Sequence, residues 1–529
     1  MQYCSALYLA VFLPITLLIY AFTSKKKRWL VLLIASYIFF LSLSGKLIVY
    51  LLFSTLSIHY FGLWLDKINK TRDEKLELCS KDEKKEIKEE YKKKSYKIVL
   101  FVVLIHIGLL VALKYTGFFG ENLNSLLGVL GVSFRFKIPK IIVPIGISFY
   151  TLQGLSYIID VYKGKINADD NLGRLALFMA FFPSIMEGPI CRYSDTSEAL
   201  YDGKSLTYKN LSFGAQRILW GLMKKMVIAD RLNPFIEKIF CEYCNLDGGV
   251  ILIGAIFYTI QLYMDFSGTI DVVIGSAEMF GITLPENFRQ PFFSKNISDF
   301  WTRWHITLGT WFRDYIFYPV SLSKPMKKVT LVSRKVLGNH YGPLLAGSIA
   351  LFLVWISNGL WHGAAWTYVF FGMYHFVLIL LGNVFTPLIQ KICNRIHVNR
   401  MSKPYVMIQI VKTTVLVIFG ELFFRANTLA GGFTMFKKIF TDFSLNSIHN
   451  GSLFKLGCDR ADFLIIGIVL LIIFVSSVLK EKGLNIREKV SKENIVVRWT
   501  LYYILILIII VFGAYGFGYA PVDPIYANF

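Results

Sequence analysis

The sequence lacks the local motifs that carry several common kinds of catalysis. It contains no Gly-x-Ser-x-Gly turn around a nucleophilic serine, no Gly-x-x-x-x-Gly-Lys-Ser/Thr phosphate loop and no His-Glu-x-x-His helix. Serine-hydrolase, nucleotide-hydrolysing and metalloprotease chemistry therefore lack their residues. No internal repeat is visible either, which argues against the paired halves that are common in transporters.

Cysteine is scarce, and its spacing does not indicate a metal centre. The sequence has seven cysteines, of which only Cys241 and Cys244 form a Cys-x-x-Cys pair. A structural zinc site needs two further ligands, and neither a second pair nor a His-x-His partner supplies them. We therefore expect no metal site. Cys191 stands alone beside an apolar helix end, where a cysteine is more often packed than nucleophilic.

Charge is also scarce in this chain. Only 17% of the 529 residues are charged, whereas 55% are hydrophobic and 16% are aromatic. Apolar runs of about 20 residues, the length of a membrane-spanning helix, recur from one end of the chain to the other. The sequence predicts an all-α, polytopic membrane bundle of about ten to thirteen transmembrane or re-entrant helices.

The net charge of +22 comes from basic residues in short loops between apolar runs. This is the pattern of topology signals, and it does not indicate nucleic acid binding. The clusters Lys25–Arg28 and Lys67–Lys97 are expected in the cytoplasm, and Trp29–Asp66 between them is long enough for two spans with a break at Ser44–Lys46. The N-terminus is then extracytoplasmic, with Met1–Tyr20 as an uncleaved first span.

The same rule organises the rest of the chain. Lys67–Lys97 is expected to be a solvated helical hairpin or a flexible loop. Lys480–Arg498 is basic and therefore cytoplasmic, which makes Trp499–Phe517 the last span and leaves the C-terminal tail outside. The predicted parts are N-terminal transmembrane helices, a charged cytoplasmic segment, a core of transmembrane, re-entrant and interfacial helices, and C-terminal helices with a tail: 1–66, 67–97, 98–425 and 426–529.

Three segments are too polar or too broken to face lipid. They are Pro144–Gln153, Phe182–Tyr193 and Gln261–Asp271. Their polar groups must be satisfied inside the protein, so these segments are expected to line a protein-walled cavity or to lie at the interface. Glu187 stands between two prolines, which predicts a bent or re-entrant helix. Asp265 requires a partner or a water-filled space.

One segment combines a titratable ring with an amphipathic pattern. At 100° per residue, Asp299–Pro319 places Trp301, Trp304, Leu308, Trp311, Phe312 and Tyr315 on one arc and polar residues on the other. His305 falls at the border between the two faces. We expect a helix that lies along the membrane interface or lines a polar cavity.

A second histidine lies inside the apolar run Leu344–Leu381. On a helix, Asn358 stands four residues before His362 and Trp366 four residues after it, on one side. Gly359 and Gly363 allow another helix or a ligand to approach the backbone closely. A neutral histidine at membrane depth can accept a proton from a hydroxyl. His106 and His375 lack such surroundings and are expected to be hydrogen-bonded core residues.

These residues together closely resemble the membrane-bound O-acyltransferase family, in its bacterial branch typified by alginate O-acetyltransferase membrane proteins. The similarity covers most of the chain in one order. Its motifs are Pro144–Tyr162, Phe182–Tyr193, Gly221–Asp230, Asp265–Gly268, Arg303–Leu308, Trp311–Tyr315 and Leu360–Thr367.

The resemblance implies that His362 and His305 are the two functional histidines. It also implies a central tunnel near them, through which an acyl group enters from the cytoplasm and leaves outside. The implied enzyme is an O-acyltransferase of the bacterial cytoplasmic membrane that acts in exopolysaccharide O-acetylation. It uses acetyl-coenzyme A or another acyl thioester as donor substrate and has no tightly bound cofactor. The implied partners are an extracytoplasmic esterase-like (SGNH-type) acetyltransferase, polysaccharide synthase machinery and membrane lipid.

Roles for individual side chains follow. We expect His362 to be the general base for an attacking hydroxyl and His305 to assist at the donor end. Support or donor binding is expected from Asn358, Arg303, Trp304 and Arg313, although the arginines serve equally well as topology anchors.

The C-terminus is similar to a Phe-Ile-Tyr-Phe-Gln-Phe motif of some relatives or their small partner subunits, in which the tyrosine is a proposed acyl relay. Here the chain ends in Pro524–Phe529, with Asn in place of Gln and with Pro and Ala in place of aromatic residues. Tyr526 is therefore a candidate relay, and a packed aromatic tail is the alternative.

Three other functions stay open from the sequence. D-alanyl transfer to teichoic acid from a carrier protein is the rival within enzymes. A proton-coupled transporter would use His305, His362 and Asp265 as coupling sites. A scaffold that anchors a polymer synthase would leave the histidines merely packed.

Overall fold

The computed structural model describes residues 1–515 of the chain. Within that part all regular secondary structure is helical, and the extended pairing is limited to an isolated antiparallel bridge between Phe288 and Trp304. The all-α, polytopic architecture expected from the composition is therefore confirmed.

The α-helices of the described residues are numbered here in chain order. They are α1 Leu13–Phe22, α2 Arg28–Ser44, α3 Ile48–Leu78, α4 Glu83–Lys114, α5 Thr116–Val129, α6 Ile147–Tyr162, α7 Leu172–Ala180, α8 Tyr193–Tyr201, α9 Tyr208–Leu222, α10 Asp230–Glu242, α11 Gly248–Met279, α12 Ile297–Arg303, α13 Ile306–Phe312, α14 Tyr318–Ser321, α15 Lys324–His362, α16 Trp366–Arg395, α17 Lys403–Arg425, α18 Leu429–Thr441, α19 Asn446–His449, α20 Arg460–Glu481, α21 Ile486–Lys492 and α22 Ile495–Phe512.

The chain folds into two compact units. Among the described residues, the first comprises Met1–Ile218 and Val272–Pro285, and the second comprises Leu219–Asp271 and residues 286–515. Both functional histidines expected from the sequence belong to the second unit.

Eight helical stretches of the described chain are long and apolar enough to cross a membrane. The first, Lys25–Leu78, contains both α2 and α3, which separate at Gly45, where φ is 51°. This position needs the left-handed backbone that glycine adopts readily. The break falls within the predicted Ser44–Lys46, so two helices occupy this stretch as expected.

The charged segment Lys67–Lys97 forms the tip of a helical hairpin. α3 runs on to Leu78 and α4 begins at Glu83, so almost the whole segment is helical. The ammonium groups of Lys75 and Lys94 cover the ring of Tyr91. The helical-hairpin alternative is the correct one, and a flexible loop is not present.

In the first unit, the segment with the two prolines is buried, but it is not the bent or re-entrant helix that they predict. After α7 the chain runs without regular helix through residues 181–191, all of which are buried. The Tyr3 hydroxyl donates to the Phe182 carbonyl at 2.8 Å and accepts from the Met186 amide at 3.2 Å. Protein groups thus satisfy non-helical backbone that lipid could not.

In the second unit, Asp265 has the partner that its place in an apolar helix requires. Its carboxylate lies 2.7 Å from the ammonium nitrogen of Lys225, which also lies 2.8 Å from Asp230. Next to it, Lys224 pairs with Asp271. Both lysines lie on a short π-helical segment, Met223–Ala229. Buried charges are tolerated when they are paired in this way.

The segment Asp299–Pro319 is not the single helix that its periodicity predicts. α12 ends at Arg303, His305 has φ 45° and ψ 51°, and α13 begins at Ile306. The break has a backbone cause, because the Ile306 amide donates to the Asn287 carbonyl at 3.0 Å and Arg289 donates to the Arg303 carbonyl at 2.9 Å. A neighbouring loop thus takes hydrogen bonds that a continuous helix would use.

The helix around His362 is also interrupted. α15 ends at His362 and α16 begins at Trp366, so Trp366 belongs to the next helix and not to the predicted one-sided strip. Asn358 does precede His362 by one turn. Gly359 has the close approach that was expected, because a Cβ atom there would lie 2.5 Å from the Tyr368 carbonyl oxygen.

Because two aspartates share the ammonium group of Lys225, we expect its loss to destabilise the fold more than the loss of Asp265. Lys225→Met leaves Asp230 and Asp265 without the cation between them, whereas Asp265→Asn leaves Lys225 paired with Asp230. Because an uncompensated buried charge costs about 3–5 kcal/mol, Lys225→Met should unfold at the lower temperature. Thermal melting of both full-length variants in detergent measures the difference, and equal melting temperatures would refute the shared role.

Candidate active site

His305 lies in the break between α12 and α13 and is held there by Asn287. Asn287 is fully buried, and its Oδ1 atom accepts hydrogen bonds from the Thr307 amide at 3.1 Å and the Thr307 hydroxyl at 2.9 Å. The same oxygen lies 3.3 Å from His305 Nδ1. Because the Thr307 amide can only donate, the Asn287 atom is an acceptor, and His305 Nδ1 carries the proton.

This arrangement defines what the His305 ring can do. Burial lowers the pKa of His305 to about 3, so the imidazole is neutral at physiological pH. Because Nδ1–H donates a hydrogen bond to Asn287 Oδ1, the free lone pair of the ring lies on Nε2. His305 can therefore accept a hydrogen bond or a proton at Nε2, and in its neutral form it has no second N–H to offer.

His362 occupies the last position of α15 and is buried among aromatic rings. Its imidazole meets Phe371 of α16 and Phe424 of α17 edge to face, with ring centroids 5.9 Å and 5.2 Å away. Three helices therefore contribute to the wall around this histidine. Because α15 ends at Gly363, His362 is followed by non-helical backbone.

One indole ring connects the two histidines. The ring centroid of Trp361 lies 5.5 Å from that of His305 and 5.1 Å from that of His362. On its other side, His305 meets Phe266 of α11 at 4.9 Å. The fold thus brings together, around Trp361, the two histidines that the sequence singled out.

Two of the other predicted site residues lie close to these rings. Asn358 is buried one helical turn before His362. Trp304, adjacent to His305, packs with its ring centroid 5.1 Å from Phe288 and 5.4 Å from Phe300. Trp304 thus belongs to the cluster of aromatic side chains next to the helix break at His305.

The two arginines are placed differently. Arg303 donates to Asp299 at 3.0 Å and to both carboxylate oxygens of Glu481 at 3.0 Å. Arg313 is half exposed and pairs with its neighbour Asp314 at 3.1 Å. Contact of either arginine with donor phosphates stays a prediction. Tyr526, the candidate relay, lies outside the described residues.

Sequence reasoning missed three residues near this site. Asn287 stands in a loop without periodicity, and no local signal links it to His305. His375 was expected to be a hydrogen-bonded core residue, and it does accept a hydrogen bond from the indole N–H of Trp301 at 3.3 Å, but its place near His362 was not foreseen. Glu421 did have a signal, because it is the single acidic residue in the otherwise apolar helix α17, and such residues are usually functional.

Comparison with known proteins places these features in a family. A model of the membrane-bound O-acyltransferase family matches residues 171–334, which include His305 but not His362. The probable alginate O-acetylase AlgI of Pseudomonas syringae pv. tomato is 31% identical over 455 residues, which cover 86% of this chain and 78% of that protein.

Two further relatives differ in the acyl group or the acceptor in their names. The peptidoglycan O-acetyltransferase of Helicobacter pylori is 29% identical, over 68% of this chain and 67% of that protein. The teichoic acid D-alanyltransferase of Bacillus subtilis is 34% identical, over 46% of this chain and 59% of that protein. With the helical membrane architecture, these similarities show that the chain is an O-acyltransferase that belongs to the membrane-bound O-acyltransferase family.

Proposed function

We propose that the chain moves an acetyl group from a cytoplasmic thioester, acetyl-coenzyme A, across the membrane for O-acetylation of an extracytoplasmic polysaccharide. The observation that carries the proposal is the placement of His305 and His362 on the same indole ring, Trp361, in a buried aromatic cluster. The extent of the similarity to alginate O-acetylases supports acetyl as the acyl group.

His362 acts as the general base in this mechanism. It takes the proton from the acceptor hydroxyl as that oxygen forms a bond to the thioester carbonyl carbon. The carbon–sulfur bond then breaks, and the proton passes to the leaving thiolate, which departs as free coenzyme A. The apolar walls supplied by Phe371 and Phe424 keep bulk water from competing with the acceptor.

His305 assists at the donor end as a hydrogen-bond acceptor. Its Nδ1–H is directed to Asn287, so Nε2 is the atom that can hold a donor group of the thioester substrate or take up a proton. Asn287 thereby selects the tautomer of His305. Each histidine thus has a separate role, and both imidazole rings contact Trp361.

The direction of transfer follows from the charge pattern of the loops. The basic clusters Lys25–Arg28 and Lys67–Lys97 lie in the cytoplasm in this proposal and attract the phosphates of the donor. The acyl group leaves on the other side, where Tyr526 relays it to an esterase-like partner beside the polysaccharide synthase. The N-terminus is extracytoplasmic in the same scheme.

D-alanyl transfer from a carrier protein is the second candidate. The relatives named as teichoic acid D-alanyltransferases match 45–46% of this chain, whereas the alginate O-acetylases match up to 86%. The acetyl donor is therefore the better supported choice. A proton-coupled transporter and a mere scaffold have no support from the comparisons, since the family is one of acyltransferases.

His362→Ala tests the proposed base directly. Loss of a general base lowers a rate by about 10²–10⁴-fold, so polymer acetylation in cells should fall to background. His106→Ala is a matched control, because His106 is also a buried helical histidine but lies 2.9 Å from the Val102 carbonyl of its own helix. Acetyl content retained in the His362 variant, at equal membrane abundance, would exclude the assignment.

Substitution of Asn287 tests the tautomer of His305 through the pH–rate profile. An aspartate at this position keeps the three hydrogen-bond contacts but adds a negative charge beside Nδ1, which raises the pKa of His305. His305 is then protonated at Nε2 below that higher pKa, so the acid limb of activity should move to higher pH. Asn287→Leu should instead lower activity at every pH. An Asn287→Asp enzyme with the wild-type profile would contradict this role.

A further inference from the structure

Three buried polar atoms on three different helices lack a hydrogen-bond partner within the described chain. They are Asn358 Oδ1 on α15, His375 Nε2 on α16 and Glu421 Oε2 on α17. The three residues are 5%, 0% and 2% exposed. A buried polar atom without a partner is costly, and native structures seldom retain one unless it serves a function or binds a molecule.

Phe371 connects the helices that carry the three residues. Phe371 has its ring centroid 5.9 Å from His362, 4.7 Å from His375 and 4.9 Å from Phe424. Asn358 lies on the face of α15 that ends in His362, one turn away. Glu421 lies one turn before Phe424 on α17. The faces that carry all three polar side chains therefore meet beside His362.

Glycine brings α17 close to the histidine of α16. A Cβ atom on Gly420 would lie 3.0 Å from His375 Nε2, so α17 presents bare backbone to this nitrogen, with Glu421 as the next residue. Two glycines also allow α15 and α16 to approach closely. A Cβ atom on Gly372 of α16 would lie 3.3 Å from the Cα atom of Gly359 on α15. Small residues at both contacts hold the polar side chains within one narrow region.

The protonation of His375 follows from its neighbour. An indole N–H can only donate, so His375 Nδ1 accepts from Trp301 at 3.3 Å. The proton of the neutral imidazole then lies on Nε2, which is a donor. Asn358 Oδ1 and a carboxylate oxygen of Glu421 are acceptors. One donor and two acceptors suit a water molecule, which can accept one hydrogen bond and donate two, and they suit an alcohol whose single O–H donates to one of the two acceptors.

We propose that Asn358, His375 and Glu421 form a polar pocket beside His362 that binds one hydroxyl-bearing molecule, either a water molecule or the acceptor alcohol. In the first case the bound molecule connects His362 to Glu421 as a path for a proton. In the second case the pocket orients the attacking hydroxyl towards His362. The catalytic consequence rests on the proposed role of His362, whereas the binding of the molecule does not.

A high-resolution cryo-EM map of the full-length wild-type protein in lipid nanodiscs tests the binding itself. We expect a peak within about 2.6–3.2 Å of Asn358 Oδ1, His375 Nε2 and Glu421 Oε2. The proposal falls if these atoms bond to other protein groups and no peak is present. Because this map requires no turnover, it stands or falls separately from the acyl-transfer function.

A second map, recorded with excess glycerol, separates the two sources of the hydroxyl. An elongated feature that replaces the single peak identifies an alcohol site. An unchanged single peak identifies a water site. A map without a feature in either condition overturns the pocket.

Apolar substitutions separate a binding role from a structural one. Glu421→Leu removes Oε2, which has no protein partner, so its melting temperature should hold or rise. His375→Phe also removes the acceptor of the Trp301 indole N–H, so it should melt lower than Glu421→Leu. Acetyl transfer from acetyl-coenzyme A should nevertheless fall by about tenfold or more. His106→Phe is the control and should leave the rate within about twofold of wild type. Full activity in both variants, or losses that only follow a lower melting temperature, would contradict the proposal.

Discussion

A polar side chain inside a helical membrane bundle must find its partners within the protein, and this constraint shapes the whole second unit. Lys225 is shared by Asp230 and Asp265, and Asn287 binds Thr307 and His305. Each arrangement uses one group to satisfy several others. The histidine rings are buried between aromatic side chains in this polar interior.

The same constraint gives the site its chemistry. Burial keeps His305 neutral, and its tautomer is defined because Asn287 Oδ1 accepts a hydrogen bond from Nδ1–H. His362 is the last residue of α15, and the helix ends at Gly363. The neighbouring helices α16 and α17 supply the aromatic rings around it. Between them Trp361 touches both. A proton acceptor can remain uncharged in such surroundings until a hydroxyl is delivered to it.

The sequence predicted those parts of the fold that depend on local pattern. Apolar run length located the helices, and Gly45 marked the break between α2 and α3. Periodicity failed at Asp299–Pro319, because the loop around Asn287 and Arg289 competes for the backbone hydrogen bonds of that segment. Such pairing joins distant parts of the chain and leaves no local trace.

The candidate site shows the same division. His305, His362 and Asn358 were identified from their motifs and helical spacing. Asn287 was missed because its contact with His305 is tertiary. The place of His375 near the site was missed because a lone histidine in an apolar helix is usually a hydrogen-bonded core residue. Glu421 is a carboxylate in an apolar helix, which is itself a functional signal, but its relation to His362 appears only when α15, α16 and α17 pack together.

In the proposed mechanism, this chain itself reacts with an acyl thioester by means of His362. Incubation of the purified full-length protein with isotopically labelled acetyl-coenzyme A, with release of free thiol and label on protein followed over time, tests it most directly. The account predicts thioester cleavage or self-labelling in the wild type and neither in His362→Ala. If neither protein cleaves the thioester or becomes labelled, or if both cleave it equally, this mechanism is wrong.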